Sequence, residues 1–284
     1  MLFRSVDGVS RGFDVYRRDV NATSLGIGNY KTKTVGGAVR FGVPFTEYDT
    51  LFFGLGTERV ALELQGDSPR RYLDFQSQFG STYAALIGTA GWVRDTRDSA
   101  IWPTKGHLER ATLELATPPG ELEYWKYSYT HQYFYPYSRS LTFLLIGELD
   151  AGDGYGGKPL PFFKNYYSGG IGSVRGFRTA SLGSRDIDGS ILGGNRKVNG
   201  SAELLFPVPG SGLDRSMRFG AFIDAGQVYG LTDRLDGSRL RASAGMSFAW
   251  NSPVGPMKIS VAKPLNDKPG DDIQHVQFTL GYVF

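Results

Sequence analysis

The last third of this chain alternates apolar and polar residues with a period of two, and no other feature limits its fold so strongly. In 240–250 (LRASAGMSFAW), Leu240, Ala242, Ala244, Met246, Phe248 and Trp250 fall on one side of an extended backbone. Arg241, Ser243, Gly245, Ser247 and Ala249 fall on the other. Segment 276–284 (VQFTLGYVF) sets Val276, Phe278, Leu280, Tyr282 and Phe284 against Gln277, Thr279, Gly281 and Val283. Strict alternation is the mark of a strand with two chemically different faces. The same reading takes in 198–206, 217–226 and 255–262. Weaker candidates are 9–18, 34–45, 50–62, 82–94, 107–117, 123–137 and 141–150, about twelve strands in all, an even number as single-chain outer-membrane barrels have. The 123–137 strand carries Trp125, Tyr127, Tyr129, Tyr133, Tyr135 and Tyr137 on one face, which suits an interfacial girdle or a sandwich core. One helix is expected over 68–79, with Ser68 as its cap and Pro69 in its first turn.

Composition narrows the partners. The 31 basic and 28 acidic residues leave a net charge of +3 with no basic stripe, so nucleic acid is not expected. With Cys 0, disulfides and thiolate metal sites are excluded. The opening MLFRSVDGVS has no apolar signal core, and no run reaches the ~18–20 apolar residues of a membrane helix. A soluble all-β protein and a transmembrane β-barrel both satisfy these limits. Loop lengths favour the barrel: 251–254 is short, 227–239 and 263–275 are long and polar, and the largest connection runs from Ala151 to Arg196. Short turns at one end and long loops at the other are the outer-membrane pattern. The expected fold is an all-β antiparallel transmembrane barrel forming one domain over 1–284, with 151–196 as a long extracellular loop directed into the lumen.

That loop contains SGGIGSVRGF (168–177), four glycines around Arg175. In a barrel the polar strand faces line the lumen. Parity puts Glu203 and Asp224 on those faces, so an inward-folded loop would bring Arg175 to both carboxylates. The alternative leaves Arg175 on an exposed loop in water. A dinucleotide site would need a strand before the glycines and a helix after them, which this context lacks. His107, His131 and His275 show no metal-ligand spacing, and Asp271 and Asp272 read as solvated loop carboxylates. No enzyme is expected, and no cofactor or metal.

The stretches SGGIGSVRGF, FFKNYYSGG, SAELLFPVP, FIDAG, WNSPVGPMKISVAKP and VQFTLGYVF, in that family's order, resemble the outer-membrane protein assembly factor family, BamA. The resemblance implies a barrel of about sixteen strands behind periplasmic POTRA domains, in the outer membrane of a Gram-negative bacterium, which folds and inserts unfolded outer-membrane proteins. It implies that Val174, Arg175, Gly176 and Phe177 form a lumen-facing motif whose arginine meets Glu203 and Asp224. It further implies a weak seam at the last strand, marked by Phe278, Leu280, Gly281, Tyr282 and Phe284, at which client strands are templated by β-augmentation. Implied partners are unfolded client proteins, outer-membrane lipids and lipopolysaccharide, and assembly lipoproteins bound through the POTRA domains. The start of this chain resembles the region around the family's fifth strand, so about four strands and the POTRA domains are expected to be missing, with Met1 an internal start. A two-partner-secretion pore of the same superfamily is the alternative, and a passive porin or adhesin barrel a third.

Overall fold

A computed structural model describes residues 2–4, 8–23, 27–187, 189–208, 216–230 and 233–281. The first half of the chain forms β1 (Leu2–Arg4), β2 (Ser10–Asn21), β3 (Tyr30–Pro44), β4 (Asp49–Leu64), helix α1 (Arg70–Phe79), β5 (Thr82–Asp95), β6 (Gly106–Thr117) and β7 (Tyr124–Pro136). Next come β8 (Thr142–Gly154), the short β9 (Gly176–Phe177), β10 (Ser184–Arg185) and β11 (Ile191–Gly193), then β12 (Arg196–Pro207) and β13 (Met217–Tyr229). The chain continues through β14 (Arg241–Ser252), β15 (Gly255–Pro264), β16 (Ile273–Gln274) and β17 (Val276–Leu280).

One 13-stranded antiparallel sheet runs β1-β2-β3-β4-β5-β6-β7-β8-β12-β13-β14-β15-β17. Twelve of these are the twelve strands that alternation picks out. The thirteenth, β1, has three residues, too few for a period to register. Among the described residues no ladder joins β1 to β17. β9 pairs with β16 and β10 with β11 in two further two-stranded sheets, the first built partly and the second wholly from the long connection.

The sheet is inverted relative to a water-soluble one. On its outer face Ile223 is 58% exposed and Phe278 55%, while on its inner face Glu203 is 1% exposed and Asp224 0%. Trp125, Tyr127, Tyr133 and Tyr135 also lie on the exposed side, so the aromatic face of β7 is part of the exterior and not a sandwich core. Phe206, Phe219 and Phe248 form an outer ladder across β12, β13 and β14, with centroids 5.9 and 5.3 Å apart. An apolar exterior around a polar interior is stable only where the exterior solvent is hydrocarbon.

Segment 155–195 fills the polar interior. Its Lys164 Nζ reaches Glu58 on β4 at 2.8 Å, and the carbonyl of its Phe177 accepts from Gln277 on β17 at 2.7 Å. A sheet that meets one segment from both of its ends is curled around it. The start of the segment is anchored under α1, where Phe162 stacks on Tyr72 at 3.8 Å and meets Tyr30 edge-on at 5.1 Å. Val60, Leu62, Tyr83 and Tyr124 complete this aromatic core at the long-loop end. The helix expected over 68–79 begins at Arg70, and Ser68 does not cap it. Its hydroxyl instead accepts from Gln65 N–H at 2.9 Å and donates to the Asn29 carbonyl, tying two loops together. Asp271 and Asp272 also differ from the sequence reading. Asp271 pairs with Arg241 at 2.5 Å and Asp272 with Arg185 at 3.1 Å, so both carboxylates hold the β15–β17 connection onto its neighbours.

Candidate functional site

Residues 169–177 make a compact turn followed by a short ladder. Gly170 N–H donates to Val174 O at 3.1 Å, and Gly169 N–H to Ser173 Oγ at 2.8 Å. Gly176 has φ 88°, a conformation open to glycine, and an added Cβ there would sit 3.2 Å from Ala262 Cβ. The chain then pairs through β9 with β16, and Val174 and Phe177 bury themselves against Leu182. Arg175 is thereby fixed on both sides and pointed at the wall.

The wall meets it with two carboxylates at mid-height of β12 and β13. The Arg175 guanidinium donates from Nε to Asp224 Oδ2 and from Nη2 to Oδ1, both at 2.7 Å. The Arg175 backbone N–H adds a third bond to Asp224 Oδ2 at 3.0 Å. Nη1 donates to Glu203 Oε2 at 3.0 Å and Nη2 to Ser201 Oγ at 3.1 Å. The flat face of the guanidinium lies 3.3 Å over the Phe222 ring. Bidentate pairing plus stacking uses the planar fork in a way lysine cannot. Arg175 is 3% exposed, so the cluster lies in a low-dielectric interior where unpaired charge is costly.

Two participants complete the balance. Lys258 Nζ on β15 donates to Glu203 Oε2 at 3.4 Å, and Ser247 donates to Glu203 Oε1. Two cations thus face two anions, and the buried group is neutral overall. Gly220 makes room for it, because a Cβ there would enter the space of the Glu203 carboxylate and the Ser247 hydroxyl. A cavity of about 70 Å³ opens beside Arg175, between Glu148, Asn199, Glu203 and Lys258. Sequence reasoning named Arg175, Glu203 and Asp224 and missed Lys258, Phe222, Ser201 and Ser247. The signal existed: all four share the inner parity, and Phe222 is the large apolar residue on an otherwise polar face.

The strand-end residues lie elsewhere. Phe278 and Leu280 point outward on β17, whose ladder to β15 covers Met257↔Leu280 to Val261↔Val276. Gly281 has φ 92° and donates to Pro256 O at 2.7 Å. Tyr282 and Phe284 lie outside the described residues. Among the described residues no group of three or more His, Asp or Glu could hold a metal ion.

A curled antiparallel wall, apolar outside, with one long loop held inside through an arginine, defines a class of outer-membrane barrel. The chain belongs to the Omp85 superfamily, whose domain matches residues 3–284. It is similar to the outer membrane protein assembly factor BamA of Neisseria meningitidis serogroup B, at 40% identity over 319 aligned residues. That alignment covers 99% of this chain and 40% of the relative, so the chain spans well under half of that relative's length. The structure of BamA from Haemophilus ducreyi lacking POTRA domains 1–3 superposes with TM-score 0.87 at 27% identity, covering 96% of this chain and 58% of that one. CdiB from Acinetobacter baumannii shares the fold, with TM-score 0.56 at 12% identity over 95% of this chain and 45% of its own. The protein is an outer-membrane barrel of a Gram-negative bacterium, from a family of non-enzymatic assembly factors.

Proposed function

We propose that this chain is the barrel portion of an outer-membrane β-barrel assembly machine, which folds and inserts unfolded outer-membrane proteins by templating their strands on the β17 edge. The observation that carries the reading is the weakness of that edge. Among the described residues, which end at Gly281, β17 pairs with β15 at five positions, whereas β3 and β4 pair at fifteen. An edge with unpaired backbone groups accepts a strand of almost any sequence, since main-chain hydrogen bonds carry the affinity. The short ladder makes it easy to displace, which suits repeated use.

In this reading Val174, Arg175, Gly176 and Phe177 are a latch. They hold the extracellular loop 151–196 in the lumen, and Glu203 and Asp224 are the strike plate. A fixed loop braces the wall from within while the seam opens and closes. The barrel works with client chains, outer-membrane lipids and lipopolysaccharide, and with lipoproteins recruited through POTRA domains. A secretion pore of the same superfamily is the second reading; within this chain the stretches SPVGPMKISVAKP and SAELLFPVP favour the assembly factor.

The test is site-specific disulfide cross-linking in the full-length protein. A cysteine at Thr279 on β17 is expected to trap the terminal strand of an arrested client, and one at Ser128 on β7 is not. Equal trapping at both positions, or at neither, overturns the templating mechanism.

A further inference from the structure

A second charged cluster lies on the outer, lipid-facing side of the wall, where the seam and latch make no use of it. Glu109 on β6 shares the outer face with Leu113 and Leu115, which are 44% and 42% exposed. Directly across on β7 is His131, whose Nδ1 lies 3.2 Å from Glu109 Oε1. Tyr129 donates its hydroxyl to the same oxygen at 3.1 Å. His107 Nε2 stands 3.9 Å from Oε2. On the other side, Arg94 of β5 is the register partner of Glu109 and pairs with Asp49 at 3.4 Å. Sequence reading treated the histidines as scattered, yet the β6–β7 register brings the rings of His107 and His131 to 6.2 Å.

The depth of the cluster identifies the layer it meets. Glu109 lies three residues from the start of β6, so at a rise of about 3.3 Å per residue and a tilt of about 40° it stands roughly 8 Å above the strand end. This is the end with the tight turns at 45–48, 137–141 and 253–254, which faces the periplasm in outer-membrane barrels. A carboxylate deep in hydrocarbon is expensive; in the headgroup layer it is tolerated and available.

The open valences identify the ligand class. Glu109 Oε1 is occupied by Tyr129 and His131, while Oε2 has no hydrogen bond among the described residues. With Nδ1–H of His131 directed at Glu109, its Nε2 presents a lone pair. Glu109, Asp49 and Arg94 sum to one net negative charge when the imidazoles are neutral. The site therefore asks for a cation bearing N–H donors at Glu109. It also asks for an anion within reach of Arg94, one strand away at about 4.5–5.5 Å. Acyl chains would then lie along Leu113, Leu115 and Tyr127. A choline headgroup lacks the N–H, and a glycerol headgroup lacks the cation. We propose that Glu109, His131 and Arg94 form a specific binding site for one phospholipid with a primary ammonium and a phosphate, of the phosphatidylethanolamine type, in the periplasmic leaflet.

The experiment is native mass spectrometry of the full-length protein released from nanodiscs containing equal parts phosphatidylethanolamine, phosphatidylcholine and phosphatidylglycerol. The wild type is expected to retain one phosphatidylethanolamine in preference to the other two. Glu109→Gln keeps the side-chain size and removes the charge. It is expected to lower that retention roughly tenfold or more, the equivalent of one charge-assisted hydrogen bond. Heat-modifiable migration checks that the variant is folded; if it is not, His131→Gln takes its place. Retention of the three lipids in the proportions supplied, or an unchanged phosphatidylethanolamine adduct in a folded variant, overturns the site and leaves the cluster a self-contained ion network.

Discussion

Removing the Arg175 side chain would leave Glu203 and Asp224 buried, with the Lys258 amine at Glu203. Breaking such a cluster from one side costs about 3–5 kcal/mol, because the remaining charges stay desolvated. Arg175→Ala in the full-length protein is therefore expected to lower the temperature of the heat-modifiable transition and to reduce client assembly. Wild-type values in both assays would remove the latch. Arg175→Lys keeps the charge but loses the fork on Asp224 and the stack on Phe222, so it should fall between the two. Gly220→Ala attacks the same cluster through space. Its methyl group competes with the Glu203 carboxylate, and it should destabilise by about 1–3 kcal/mol, as overpacking does, in urea titrations of vesicle-inserted protein.

At the scale of the element, the strands make a claim about faces. Ser201↔Asp224 and Glu203↔Phe222 are register pairs, so both acids lie on one side of the β12–β13 ladder. Single cysteines at 203 or 224 should resist lipid-soluble maleimides, and cysteines at 206 or 223 should react. A reversed pattern would mean a one-residue register slip, which turns every side chain over. The β17 ladder makes a second claim. With five pairs, on one side only, among the described residues, its amides should exchange with deuterium well before those of β13, which is paired on both sides. Equal protection would leave no weak seam.

For the whole molecule, the long-loop end is held together by ion pairs and hydrogen bonds between connections. Asp233 ties the β13–β14 connection to β10: it accepts from Ser184 Oγ and from Gly230 N–H, both at 2.8 Å, and meets Arg239 at 3.1 Å. Burial raises its carboxyl pKa, but the bonds from Gly230, Ser184 and Arg239 outweigh that and hold it below the usual carboxylate value. A depressed acid contributes stability above its unfolded pKa and loses it as the pH falls through the folded one. Proteolysis between residues 227 and 240 should therefore quicken below about pH 4, and Asp233→Asn should show the quickening already at neutral pH. No change in either would take Asp233 out of the loop assembly.

Alternation by itself determined the strands and their two faces, because a β-strand has a two-residue repeat that is local and written in the residue types; the sorting of loop lengths then pointed to a wall with its apolar face outward. The same parity placed Glu203 and Asp224 inside and left Arg175 as the cation to meet them. What it could not carry was distance between strands far apart in the chain. Lys258 and Ser247 join Glu203 from 55 and 44 residues away, Phe222 slides under the guanidinium, and His131 closes on Glu109 across the β6–β7 hairpin. Those meetings depend on strand register, on the curl of the sheet and on the path of segment 155–195. The aromatic core under α1 was hidden for the same reason, while the β1 strand and the small ladders of the long connection were hidden because two or three residues have no period. The chain's own pattern chose the wall and its two sides; only the folded wall decided which side chains share a charge.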